Sequence, residues 1–161
     1  MYHPVVEKIK NVLTENSIWF ETFEHEPVIT SEDVGKVRTG YRLDQGTKAL
    51  IVRVTTPEKE KKFVMILVQG DKKFDESKVK AELGFTKIRF ATEEEVSGIT
   101  GGVQRGGVPP FGNLFGLSVY MDKGILDNEK IIFNAGDRSY SIGMRSADFV
   151  KMVSPQVVRV S

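Results

Sequence analysis

Seven of the fifteen glycines lie between Gly98 and Gly116, with two of the six prolines, and from Val96 to Met121 the only charged residue is Arg105. Nothing else in the chain limits its folding so strongly. Glycine inside a helix or strand costs roughly 0.5–1 kcal/mol relative to alanine, and proline fixes φ and removes a backbone donor. The stretch Gly101-Gly102-Val103-Gln104-Arg105-Gly106-Gly107-Val108-Pro109-Pro110-Phe111-Gly112 therefore reads as a loop. Its near-lack of charge suits a packed or lining loop better than a solvated linker. Such a backbone can approach a ligand closely and aim several N–H groups at one oxygen atom or anion. The plain alternative is a surface loop with awkward turns. It is not a Walker loop, since no Gly-Lys-Ser/Thr follows, nor does it match G-x-G-x-x-G after a strand.

The rest of the chain alternates short elements around this loop. Val5, Val6, Ile9, Val12 and Leu13 recur at helical spacing after Pro4, and Asn16-Ser17 ends that helix. Trp19 to Glu24 alternates like a half-buried strand, and Ser31-Glu32-Asp33 starts a second helix running to about Gly40. Ala49 to Thr55 and Phe63 to Gln69 form a hairpin, whose charged Glu58 to Lys62 tip reads as solvated. A short helix starts at Asp75 and stops at Gly84; Ile88 to Ala91 is a strand. Thr92-x-x-Glu95 is a capping-box pattern opening a helix that ends at Gly101-Gly102. Leu117 to Met121, Ile131 to Asn134 and Tyr140 to Met144 follow as strands. Ser146 caps a last helix, Ala147 to Met152, and Val157 to Val160 forms a terminal edge strand. With no regular βαβ alternation, this is mixed α/β, mostly antiparallel, in one domain of residues 1–161.

Composition removes most chemistries. There is no cysteine, which excludes thiol nucleophiles, thiolate zinc sites and disulfides. His3 and His25 are the only histidines, so neither a histidine metal site nor any other metal site is expected. A formal net charge of +1 gives no global field for tight non-specific nucleic-acid binding. No apolar run approaches the ~20 residues of a membrane span, and MYHPVVEKIK lacks a signal-peptide core. A cytoplasmic protein is the default expectation.

Few single residues stand out. Lys48, before an apolar strand, can present a point charge to a carbonyl or phosphate, although most of the 23 basic residues face solvent. His25 suits bonding to nearby backbone better than a general-base role. Lys72-Lys73 reads as surface that could touch an RNA backbone. Asp122 and Asp137 read as turn formers without a local partner for acid–base work.

Taken in order, several of these pieces resemble the YbaK-like, prolyl-tRNA synthetase-associated family of aminoacyl-tRNA editing domains. They are His25-Glu26-Pro27, Thr30-Ser31-Glu32, Lys48-Ala49-Leu50-Ile51-Val52, Val68-Gln69-Gly70-Asp71, Leu83-Gly84 and Ala91-Thr92-Glu93-Glu94-Glu95-Val96. Thr100-Gly101, Gly106-Gly107-Val108-Pro109-Pro110-Phe111-Gly112, Tyr120-Met121-Asp122 and Asn134-Ala135-Gly136 continue the series. The resemblance spans about residues 20 to 153 and is carried by order and spacing rather than by any one piece.

The resemblance implies a mixed α/β domain with a largely antiparallel, barrel-like sheet and short flanking helices. It implies hydrolysis of the ester joining a wrong amino acid to a tRNA, acting in trans, on tRNA-Pro or a related small-amino-acid mischarge. The family's essential lysine falls on Lys48 and its GxxxP loop on Gly106 to Pro110. Lys48 and Gly106 are thus the expected catalytic residues. Gly101, Gly102, Gly107, Val108, Pro109, Pro110, His25 and Thr30 are the expected substrate contacts. No cofactor is implied. Mischarged tRNA is the implied partner, with a synthetase as a second. The alternative is a non-catalytic module of the same fold that binds tRNA or a synthetase. An aminoacyl ester is already activated, so placing water and stabilising an oxyanion can suffice without a side-chain nucleophile.

Overall fold

The computed structural model describes residues 1–27 and 40–161. The expected helix at Ser31-Glu32-Asp33, and Thr30 with it, lie outside the described residues. Helix α1 (Val5–Glu15) buries Val5, Val6, Ile9 and Leu13 on one side. Strand β1 (Phe20–Glu24) follows. The hairpin is formed by β2 (Thr47–Thr55) and β3 (Lys61–Gln69), paired from Thr47↔Gln69 to Thr55↔Lys61.

The unbroken apolar run in β3 has a simple origin: both faces of this hairpin are covered. Ile51, Met65 and Leu67 join one core cluster, while Val52, Val54, Val64 and Ile66 join a second on the opposite face. Helix α2 (Glu76–Leu83) caps on the Asp75 side chain and ends at Gly84, whose φ is +75°. Its Val79 supplies the second cluster. Strand β4 (Lys87–Phe90) leads to α3 (Glu93–Thr100), where both halves of the Thr92–Glu95 capping box form.

Beyond the glycine-rich segment come β5 (Val119–Asp122), β6 (Lys130–Asp137), β7 (Tyr140–Arg145), α4 (Ser146–Val153) and β8 (Gln156–Val158). Ser146 is inside α4 rather than capping it; its hydroxyl donates to the Asn128 carbonyl at 2.6 Å. One sheet has the order β1-β7-β6 and the other β4-β2-β3-β5-β8.

One expectation is corrected by the sheet order. The sheets are not closed into a barrel: they remain two, joined by an isolated parallel bridge between Gly46 and Ile132. Beside the antiparallel hairpins, β3 pairs β5 in parallel, and β5 pairs β8 in parallel. The chain enters β5 after the long glycine segment, which carries it back to the start of the sheet. A mixed α/β fold with mostly antiparallel pairs stands.

Candidate active site

Strand β2 has β3 along one edge, but on the other edge its partners change. Gly46 bridges Ile132 of β6, while β4 pairs only from Val52 to Thr55, with Ala91 N–H donating to the Ile51 carbonyl at 3.0 Å. Residues Thr47 to Leu50 therefore have no strand partner on that edge among the described residues. Lys48 sits in this gap.

The glycine loop is tied to both sides of it. On the β4 side, the Arg105 guanidinium donates to the Ala91 carbonyl. On the β6 side, Asn134 Nδ2 donates to the Gly106 carbonyl at 2.6 Å. Arg138 Nε and Nη2 hold the Arg105 carbonyl at 2.9 and 2.7 Å, and Gly136 N–H donates to the Gly107 carbonyl at 2.8 Å.

The loop needs glycine at these points for two different reasons. Gly106 has φ +91°, a left-handed conformation that a side chain would strain. Gly107 lies so close to the turn between β6 and β7 that a Cβ would stand 3.3 Å from Asp137 and Arg138 backbone atoms. Val108, Pro109 and Pro110 then run into the interior, all buried. Phe111 anchors their end, with ring centroids 5.7 Å from Phe133 and 5.4 Å from Phe149. This anchoring fixes where Gly106, exposed at the loop's outer end, can sit.

The remaining expected residues divide. His25 Nδ1 donates to the Glu26 carbonyl at 2.8 Å, the local backbone bond foreseen for it, and its Nε2 is 2.7 Å from Ser141 Oγ. Ser141 Oγ is in turn 3.2 Å from Asn134 Oδ1, so His25 connects to the Gly106 loop through two side chains. Gly101 and Gly102 are accounted for by the end of α3: Gly101 is left-handed at φ +73°, and Gly102 N–H donates to the Ser97 carbonyl. The Gly101 carbonyl meets His3 Nε2 at 2.9 Å, beside the N-terminus rather than in the gap. Asp122 and Asp137 act in turns, bonding Gly124 N–H at 3.0 Å and Ser139 N–H at 2.8 Å.

Lys48 itself is half-buried, and its ammonium donates to the Lys72 carbonyl rather than to the glycine loop. Burial pulls its pKa below the usual lysine value, and the nearby Asp71 carboxylate works against that. One residue before it, on the opposite face of β2, the Thr47 hydroxyl is buried and has no hydrogen-bond partner among the described residues. Burying a hydroxyl unpaired costs roughly 1–3 kcal/mol, so a ligand at the gap would have a group to satisfy.

Sequence reasoning missed Thr47, Asn134 and Ser141. Asn134 was visible only as part of Asn134-Ala135-Gly136, and Ser141 only as a polar position in a buried strand. Neither the hydroxyl's isolation nor the link to Gly106 leaves a local signal.

This layout can be compared with known proteins. Residues 25–152 match the aminoacyl-tRNA editing domain. The chain belongs to the aminoacyl-tRNA editing domain family. It is thus a member of an editing-deacylase family of the YbaK and ProX type. The Escherichia coli (strain K12) multifunctional Ser/Thr-tRNA deacylase ProXp-y is 28% identical over 153 residues, covering 94% of this chain and 90% of that protein. The Acetoanaerobium sticklandii prolyl-tRNA editing protein ProX is 26% identical over 145 residues, covering 88% of this chain and 85% of that one. A crystal structure of a candidate trans-editing enzyme for prolyl tRNA synthetase superposes with a TM-score of 0.80 at 21% identity, covering 100% of this chain and 99% of that one. That likeness shows the shared fold. No helix among the described residues is long and apolar enough to cross a membrane.

Proposed function

We propose that the chain is a trans-acting aminoacyl-tRNA deacylase whose site is the gap in the edge of β2, between Lys48 and the Gly106 loop. The observation that carries this reading is the double tethering of the loop, to Ala91 on one side of the gap and to Asn134 on the other. The bound group is the 3′ aminoacyl ester of a mischarged tRNA, tRNA-Pro or a related small-amino-acid mischarge. The names of the two relatives make seryl, threonyl and prolyl-system esters the first to try.

In this mechanism the water oxygen attacks the ester carbonyl carbon, and the carbonyl oxygen takes up negative charge. The Gly106 N–H, exposed at the rim, faces that oxygen, and Lys48 leaves the Lys72 carbonyl to contribute its charge. The bond from carbonyl carbon to ribose oxygen then breaks. Water supplies the proton that the ribose oxygen takes, so the products are the free amino acid and a tRNA with its hydroxyl restored. Thr47 satisfies its hydroxyl on the substrate or the attacking water. Discrimination among side chains has to exploit more than size, because one methylene is worth only ~1–3 kcal/mol.

The test is incubation with alanyl-, cysteinyl-, seryl- and threonyl-tRNA, including tRNA-Pro carrying each wrong amino acid. Release of one amino acid supports the reading and names the substrate. Inactivity on all of them, with retained tRNA or synthetase binding, replaces it by a binding module.

A further inference from the structure

A second feature of the same sheet concerns the body of the RNA rather than its ester. Across β3, β2 and β4 the register aligns two rows: Phe63, Arg53 and Arg89, then Lys61, Thr55 and Lys87. Arg53 and Arg89 are directly opposed. Like charges placed opposite one another in an antiparallel pair destabilise it. Lys80 of α2 borders the same groove.

The molecule resolves a similar conflict elsewhere. Lys130 and Arg145 are also directly opposed, and both lie over the Trp19 ring, at 4.8 and 5.1 Å from its centroid. Around Arg53 the compensation is incomplete. Arg89 pairs with Glu95 at 2.8 Å and Lys80 with Glu76 at 3.2 Å. Arg53, Lys61 and Lys87 have no carboxylate within ion-pair distance among the described residues. Five cations thus share two carboxylates, in a chain whose formal net charge is only +1.

Charges that merely guard a sheet edge against aggregation belong on the edge strand. Arg53 is on β2, an interior strand paired on both sides, so edge protection does not explain it, whereas Lys61 lies outside the stretch of β3 paired with β5, and Lys87 and Arg89 are on the edge strand β4. Glu95 holds Arg89 through both guanidinium Nη atoms, and an anion with several charges lying on the surface would offset the repulsion that remains with Arg53. At ~3.3 Å per residue, Arg53 is about 17 Å along β2 from Lys48, and the Lys61–Lys87 row about 23 Å.

We propose that Arg53, Lys61, Lys87 and Arg89 form a platform for the phosphates of the tRNA acceptor strand. The platform gives a nearly neutral protein a local hold on RNA. The identification of the RNA as tRNA rests on the deacylase reading.

The experiment compares wild type, R53Q/K87Q and K8Q/K151Q, the last removing two exposed charges elsewhere. Binding to uncharged tRNA is measured by filter retention from 50 to 200 mM salt, with melting curves to confirm folding. Each lost phosphate contact lowers the log–log salt slope by about 0.7–0.9. R53Q/K87Q therefore loses about tenfold less affinity than wild type over that range, while K8Q/K151Q follows wild type. With an active ester, its kcat/KM preference for whole tRNA over a trinucleotide carrying the same aminoacyl group falls about tenfold, an order-of-magnitude expectation. A salt slope in R53Q/K87Q equal to wild type overturns the platform. So does a slope reduced equally in both variants. If no aminoacyl ester is hydrolysed, the deacylase reading fails, and the salt slopes still decide the platform.

Discussion

Replacing Asn134 by alanine separates the positioning of Gly106 from the stability of the fold. The change removes the donor that holds the Gly106 carbonyl at 2.6 Å and the acceptor 3.2 Å from Ser141 Oγ. Two such hydrogen bonds together contribute about 1–3 kcal/mol net. For a chain of this size each kcal/mol moves Tm by about 2–4 °C, so melting should fall by about 2–12 °C. The loop keeps its Arg138 tethers and its Phe111 anchor, so it loosens at Gly106 without leaving the surface. A displacement near 1 Å at a reacting group can cost about 10²-fold in rate. The expected result is a kcat lower by about 10²-fold with a folded protein that still binds tRNA. Single-turnover deacylation, read beside a calorimetric melt, measures both quantities on one sample. A kcat within threefold of wild type would show that Gly106 needs no such hold, and the loop's part in the mechanism would be lost.

Three further outcomes follow from the same geometry. Thr47→Val removes a buried hydroxyl without a partner, so chemical denaturation should show unchanged or higher stability, by up to ~1–3 kcal/mol, while deacylation falls. Asp71→Asn removes the negative charge that favours protonated Lys48, so the Lys48 pKa drops further and the alkaline limb of the rate–pH profile moves to lower pH; an unmoved limb would remove Lys48's charge from the mechanism. Phe111→Ala empties a fully buried ring site between Phe133 and Phe149 and should cost about 3–5 kcal/mol in urea unfolding.

Local chemistry was readable in the sequence where it acts over three or four residues. Thr92 and Glu95 form the capping box their spacing announces, and Asp75 and Gly84 bound α2. The apolar runs of β2 and β3 also mark their hairpin, because both faces are covered. Partnership between distant strands left no such mark. The run Leu117 to Met121 reads as a strand, and it does not say that the strand lies parallel to β3. The same limit applies to the site. Lys48 and Gly106 stood out through the family resemblance, whereas Thr47, Asn134 and Ser141 acquire meaning only from residues dozens of positions away. Gly101 and Gly102, prominent in composition, are explained by the end of α3 and its contact with His3.

In the proposed reaction Lys48 acts on an aminoacyl ester in the gap beside Gly106. Its most direct test is the deacylation rate of Lys48→Ala on whichever mischarged tRNA the wild type hydrolyses, with folding confirmed by circular dichroism. Among the described residues the Lys48 ammonium bonds the Lys72 carbonyl on the surface, so its loss should leave the fold intact. The Lys48→Ala rate should be lower by about 10²–10³-fold, the size of losing one oxyanion donor. A folded Lys48→Ala variant that deacylates at the wild-type rate would contradict it.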